Sequence, residues 1–292
     1  AADQPSKTSH RIYWLWAGDC GEHQIVAQTI CFTCNPTWLA TFTPNIFMKE
    51  ESAVTPYGSE AGKKAEVEQM FDRIAPRYDL LNRVLSLGID LWWRKRAIAY
   101  LKPAKPAEIL DVATGTADVA ILMAKILKPQ RVVGIDIANQ MLEIGRGKIA
   151  AQGLSDIISL ETGDCEQLRF ADGSFDAVTV AFGVRNFENL EKGLAEMRRV
   201  LRPGGRLVIL EFSKPQVFPV KQLYNTYFKY VLPLIGRLTS RDMRAYTYLF
   251  ESVQVFPEGK QFTEILTKTD FQNPLCERLT LGICSIYTAT KQ

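Results

Sequence analysis

From residue 61 onward, apolar positions either recur at helical spacing or bunch into short unbroken runs, and the two patterns take turns. Val67, Met70, Phe71 and Ile74 share one face of a predicted helix over 61–75, which Pro76 interrupts. A second helical stretch spans Asp79 to Tyr100 and breaks near Gly88. Compact apolar runs then predict strands at 109–112, 131–136, 157–164, 174–183 and 206–212. Between them lie helical patterns at 117–127, at 138–153 (closed by Gly153) and at 189–205 (stopped by Pro-Gly-Gly). The tail adds a helix at 257–269 and strand pieces near 275–280 and 282–289. Strands and helices of these lengths in alternation predict an α/β protein with a parallel sheet and helices on both faces.

Residues 1–47 do not share this patterning. They hold both histidines (His10, His23), three of the 5 Trp and three of the 6 Cys, and neither helical period nor strand alternation runs through them. At Met48 a charged, ordinary opening begins, so 1–47 read as a non-native or disordered leader, with Met48 the natural start. The expected organisation is that leader, then an N-terminal helical cap over 48–106, then a core over 107–292 with a helical insertion near 214–250. Cys20, His23, Cys31 and Cys34 have a zinc-like spacing, but the loop is short and no patterned core surrounds it; the spacing reads as accidental and no metal is expected.

Composition narrows the class. The chain has 292 residues, 47% apolar and 23% charged, with a net charge of +3. So small a bias argues against a dedicated nucleic-acid binder. No run approaches the roughly 20 apolar residues that span a bilayer, and the scattered cysteines fit a reducing, cytoplasmic setting.

In parallel sheets, ligands sit beyond the carboxyl ends of the central strands. The first strand ends Asp111-Val-Ala-Thr-Gly115-Thr116, where Gly115 permits a tight turn into a helix N-terminus. A lone Gly is not the dinucleotide fingerprint, and no Lys-Ser/Thr follows as in a phosphate loop. An acid before the glycine suits an amine-bearing ligand. Asp136 ends the second strand, where a carboxylate can accept from both hydroxyls of a ribose; its plain alternative is a helix N-cap. Asp164-Cys165 end the third, placed for an adenine edge, and Arg185-Asn186 follow the fourth. A nucleoside without phosphates, beside acids that face a positive centre, describes S-adenosylmethionine.

These residues sit within longer stretches that resemble a known family. Tyr78-Asp-Leu-Leu-Asn82 through Trp93, Phe182-Gly-Val-Arg-Asn186, and Arg199-Val-Leu-Arg-Pro-Gly-Gly through Ser213 resemble signatures of the ubiquinone/menaquinone biosynthesis C-methyltransferases, over about residues 54 to 291. The segments around 54–57, 179–197 and 279–288 look most like the menaquinone branch. The resemblance implies a class I S-adenosylmethionine-dependent methyltransferase fold, Rossmann-like, with a mostly parallel seven-stranded sheet. It implies C-methylation of demethylmenaquinol to menaquinol, and cofactor contacts from Thr116, Asp136, Asp164 and Cys165, beside Asp111 and Gly115. The chain departs from the family's pattern at Asp90, where a His is often found, at Ala181, Cys165 and Arg202, and in the single-glycine loop.

Residues 48–292 contain no histidine, so an imidazole base is not expected there. The expected roles are Arg185 stabilising a developing phenolate, Asn186 orienting the ring, and Tyr78 and Asp79 bordering the ring pocket; Tyr78 reads equally as a packing ring between helices. The prenylated naphthoquinol substrate carries a long tail. The aromatic and aliphatic stretch 217–238, with Lys221, Lys229 and Arg237, would admit that tail or touch the inner face of the plasma membrane; a lid or homodimer face is the alternative. Methylation of a ubiquinone precursor, a non-catalytic cofactor-binding subunit and a nicotinamide dehydrogenase are the competing readings. The lone Gly and the missing His count against the last.

Overall fold

The chain divides into two units, Ala1–Glu50 and Glu51–Gln292. The computed structural model describes residues 54–227, 230 and 243–292, all within the second. The Cys/His spacing of the leader and most of 228–242 lie outside the described residues.

Two helices come first, α1 (Lys63–Leu85) and α2 (Asp90–Ala99). Then follow β1 (Glu108–Val112), α3 (Asp118–Leu127), β2 (Arg131–Asp136), α4 (Asn139–Ala151), β3 (Ile158–Thr162) and β4 (Phe175–Ala181). A short 3₁₀ turn (Val184–Asn186) leads to α5 (Leu190–Val200), β5 (Leu201–Phe212) and α6 (Val220–Thr226). The chain closes with α7 (Met243–Val255), α8 (Lys260–Lys268), β6 (Gln272–Leu279) and β7 (Cys284–Thr290).

Seven strands form one sheet in the order β3-β2-β1-β4-β5-β7-β6. The first five are parallel, and β7 runs antiparallel to both β5 and β6. This is the mostly parallel α/β sheet expected. Strand order reverses between β1 and β4, so a crevice opens beyond their carboxyl ends. One face of the sheet is covered by Leu194 and Met197 of α5 with Phe262 and Leu266 of α8. The other is covered by Val119, Ala120 and Met123 of α3 with Trp93 and Ile98 of α2. Each large apolar side chain buried this way contributes about 1.5–3 kcal/mol. Among the described residues, no helix is long and apolar enough to cross a membrane.

The structure differs from the sequence reading at two breakers. Pro76 does not end the first helix: α1 runs through it. Its missing N–H removes one backbone bond, but Met70, Ala75 and Leu81, on both sides of it, are buried and hold the helical phase. In the second case α5 stops at Val200, before Pro203-Gly204-Gly205. Leu201 pairs with Phe175 and the register resumes only at Arg206–Ala177, so the intervening residues bulge out of the ladder of β5.

Glu66 anchors the segment ahead of α1. Its carboxylate, buried, accepts from the amides of Tyr57 (2.6 Å) and Gly58 (3.0 Å) and from that of Ser59. Burial pushes its pKa up, but the hydrogen bonds from Ser59, Tyr57 and Gly58 outweigh it and bring it from 4.5 to about 2. A depressed carboxyl stabilises the fold fully above its unfolded pKa and progressively less as pH falls through 4.5 toward about 2. Glu66→Ala should cost about 1–3 kcal/mol at neutral pH by leaving amides unpaired. Urea titrations of both proteins should show the gap narrowing through that acidic window.

Candidate functional site

The loops beyond the carboxyl ends of β1 and β4 carry strained backbone. Ala113 (φ 53°), Ala117 (φ 63°) and Phe182 (φ 60°) all adopt the left-handed region, which costs a residue with a Cβ of order 1–3 kcal/mol. The chain turns sharply at these strand tips, and beyond them lies a cleft of about 710 Å³, open solvent included. Its floor is Ala113, Gly115 and Gly183, its flank Ile135, Asp136 and Met141, and its far end Asp164, Cys165 and Glu166. The side of α1 bearing Lys64, Val67, Phe71 and Tyr78 closes it.

Two glycines keep the floor low. Gly115 sits at φ +56°, and a Cβ on Gly183 would come within 2.5 Å of the Ala113 Cβ. Asp136 accepts from the amides of Gly115 (2.8 Å) and Ala138 (2.9 Å), one on each carboxylate oxygen. So Asp136 fastens the loop after β1 and the lead into α4, with lone-pair capacity left on its carboxylate. Burial pushes its pKa up, opposed by those amides. Asp164 is bound by Lys64 Nζ (2.7 Å) and the Glu166 amide (2.9 Å). Burial raises its pKa, but Lys64 and that amide win and hold it below the usual range. Burial and the neighbouring carboxylates push the Cys165 thiol far up, so it lines the cavity as a neutral wall.

Two residues expected at the cofactor stand apart from that cavity wall. Asp111 is buried, accepting from Thr114 Oγ1 (2.7 Å) and Thr179 Oγ1 (2.6 Å). Burial raises its carboxyl to about 6 against those hydroxyls. The Thr116 hydroxyl donates to Asp79 (2.5 Å) and accepts from Lys148 Nζ (3.2 Å). Lys148 also grips Asp79 and Asp118. Asp111 thus braces the loop after β1 from below, and Thr116 pins α1 across it. Gly115, Asp136, Asp164, Cys165, Tyr78 and Asn186 are brought together at the cavity.

A second, larger cavity of about 1870 Å³, open solvent included, adjoins the first. Phe71, Tyr78 and Phe182 border both. Its walls are mainly apolar: Met70 and Ile74 of α1, Trp93 of α2, Phe212 of β5, Leu223 of α6 and Leu249 of α7. Arg185 lines it, with its side chain 7% exposed. The guanidinium lies 2.8 Å from Glu211, which is fully buried, and Nε donates to Ser252 Oγ at 3.3 Å. It also lies over the Phe212 ring, 5.5 Å from the centroid. Lys63 donates to the carbonyls of Arg185 (3.2 Å) and Phe187 (2.7 Å), holding the turn that presents Arg185 and Asn186. Asn186 Oδ1, buried on the first cavity's side, has no hydrogen-bond partner among the described residues.

The sequence reading missed most of this second chamber. Arg94, Trp93 and Phe212 sit on elements that were recognised, yet nothing in their spacing separates a cavity wall from core. The apolar face of the first helix was visible, but Val67, Met70, Phe71 and Ile74 all line the cavities. Among the described residues no group of three or more His, Cys, Asp or Glu could hold a metal ion.

The fold and the chain's relatives agree with this geometry. A Thermotoga maritima structure described as an S-adenosylmethionine-dependent methyltransferase, possible histamine N-methyltransferase, aligns with a TM-score of 0.54 at 17% identity, covering 77% of this chain and 99% of its own. The fold is that of class I methyltransferases. The demethylmenaquinone methyltransferase of Bacteroides fragilis is 50% identical over 241 residues, 82% of this chain and 98% of the relative. That of Porphyromonas gingivalis is 43% identical over 245, covering 84% and 100%. A ubiquinone/menaquinone biosynthesis C-methyltransferase of Geotalea daltonii is 48% identical over 234, covering 80% and 98%. The model of the ubiE/COQ5 methyltransferase family matches residues 59–291, and the chain belongs to that family.

Proposed function

We propose that the protein methylates the ring carbon of demethylmenaquinol, with S-adenosylmethionine as donor, to give menaquinol. The observation that carries this reading is the pair of adjoining cavities. One is flanked by strand-tip carboxylates; the other is large, apolar and furnished with a buried arginine. Three aromatic rings stand between them.

The first cavity fits the cofactor on its own evidence. Asp136 keeps lone pairs for a ribose diol, Asp164 and Cys165 stand where an adenine edge would lie, and Asn186 offers an unpaired acceptor to an ammonium or ring. The low floor at Gly115 and Gly183 admits a ligand that a Cβ would exclude. S-Adenosylmethionine, when bound, supplies an electrophilic methyl group on a sulfonium.

The chain's own residues then act on the quinol. The apolar walls desolvate the ring and hold it against Phe71, Tyr78 and Phe182. Arg185 lowers the cost of phenolate charge on the ring oxygen, which raises electron density at the adjacent carbon. Burial pushes the Tyr78 phenol up, so Tyr78 meets the ring as a neutral wall and not as a base. The mouth of the larger cavity suits a prenyl tail at a membrane surface on the cytoplasmic side. Leu87 (92% exposed), Ile89 and Leu223 (66%) both line the cavity and face outward, and Trp92 and Phe218 are exposed nearby in sequence.

The test is incubation with methyl-labelled S-adenosylmethionine and a panel of reduced quinones, with products read by mass. Label should enter demethylmenaquinol. Label only in a ubiquinone-precursor quinol would transfer the reading to the sister reaction. Cofactor binding without any product would make the chain a non-catalytic subunit.

A further inference from the structure

Tyr248 lines the larger cavity and is buried to 1% exposure, and its hydroxyl has no hydrogen-bond partner among the described residues. An unpaired buried hydroxyl normally costs about 1–3 kcal/mol, so buried phenols find partners. Its surroundings are not neutral. Tyr248 and Ser252 are one helical turn apart on α7, and Ser252 accepts the Nε hydrogen bond of Arg185. The turn of helix that steadies the guanidinium therefore also presents the phenol, and the charges of Arg185 and Glu211 act on it.

Arg185 alone is a poor anion binder. Its charge faces the fully buried Glu211 at 2.8 Å, and it also donates to the Phe182 carbonyl and to Ser252. A phenolate forming in the cavity would feel an arginine already paired with a carboxylate. A neutral donor alongside would complete the site without adding another charge to desolvate.

We propose that Tyr248 is a second oxyanion donor: its hydroxyl donates a hydrogen bond to the quinol oxygen that carries the phenolate charge, next to Arg185. This deepens the reading above and rests on it. Burial holds the Tyr248 phenol up at about 12, so the group stays a donor across the working pH range. Among the described residues nothing else accepts from this hydroxyl, so it is available to the oxyanion.

Tyr248→Phe deletes the hydroxyl and keeps the ring. The first measurement is ionisation of 4-nitro-1-naphthol, whose anion absorbs in the visible, bound to protein saturated with S-adenosylhomocysteine. Wild type should lower the naphthol's midpoint below its free value, and Tyr248→Phe should raise it by about one pH unit, a tenfold change. In quinol turnover, kcat should fall about a hundredfold, with the Kd for S-adenosylhomocysteine unchanged. Thermal stability should stay the same, because no bond of the hydroxyl to a described residue is lost. An unshifted midpoint in wild type, equal midpoints in the two proteins, or a loss of cofactor affinity as large as the loss in kcat would overturn the proposal. Failure of the underlying reading looks different: wild type would methylate no quinol while the midpoint difference persisted.

Discussion

Arg185→Ala is expected to lower kcat by about 10²–10³ while leaving the Kd for S-adenosylmethionine within a few-fold of wild type. The guanidinium lines the larger cavity and is absent from the wall of the smaller one, so its loss touches the quinol oxygen and not the nucleoside. The same substitution strands the fully buried Glu211, whose ion pair at 2.8 Å is gone. Removing one partner of such a pair costs about 3–5 kcal/mol, so a lowered Tm accompanies the lost turnover. Glu211→Gln added to Arg185→Ala separates the two effects. The double variant should regain stability, since the orphaned charge is gone, and should regain no turnover. Steady-state kinetics and a melting curve on the three proteins check this. Recovery of turnover in the double variant would reduce Arg185 to a packing role.

The second large effect falls on the cofactor. Asp136→Asn should weaken S-adenosylmethionine binding roughly a hundredfold, on the basis of about 1.5–3 kcal/mol for a hydrogen bond to a charged acceptor. The carboxylate does two jobs at once. Each oxygen takes one amide, from Gly115 or Ala138, and keeps lone-pair capacity for a ribose hydroxyl. An asparagine retains one acceptor oxygen and turns its NH₂ toward an amide donor, so the loop after β1 is disturbed as well. Titration calorimetry with S-adenosylmethionine and with adenine alone distinguishes the contributions. The nucleoside-dependent part should fall, while the weak affinity for adenine, which we propose rests on the Asp164 end of the cavity, should persist. Equal affinities for the full cofactor would remove the ribose role from Asp136.

Much of the scaffold was legible because it follows from short-range rules. The six-residue run 131–136 could only be a buried strand, and β2 occupies those residues. The strand-tip acids Asp136 and Asp164 announced the first cavity, since in a parallel sheet the carboxyl ends face the crevice. What was illegible depended on tertiary support. Pro76 reads as a breaker until one knows that buried neighbours on both sides keep α1 intact. Thr116 follows the glycine of the motif, yet its hydroxyl is claimed by Asp79, 37 residues earlier in the chain, and by Lys148, 32 later. No local pattern carries that pairing. Tyr248 was equally silent. On a helix rich in aromatics one tyrosine looks like another, and what sets this one apart is an oxygen with no partner among the described residues.

Phe71, Tyr78 and Phe182 face both chambers. Ligands in the two chambers would share these three rings as one wall, which gives each a route to act on the other. By thermodynamic reciprocity, whatever factor the nucleoside adds to the grip on the lipid ring, the ring returns to the nucleoside.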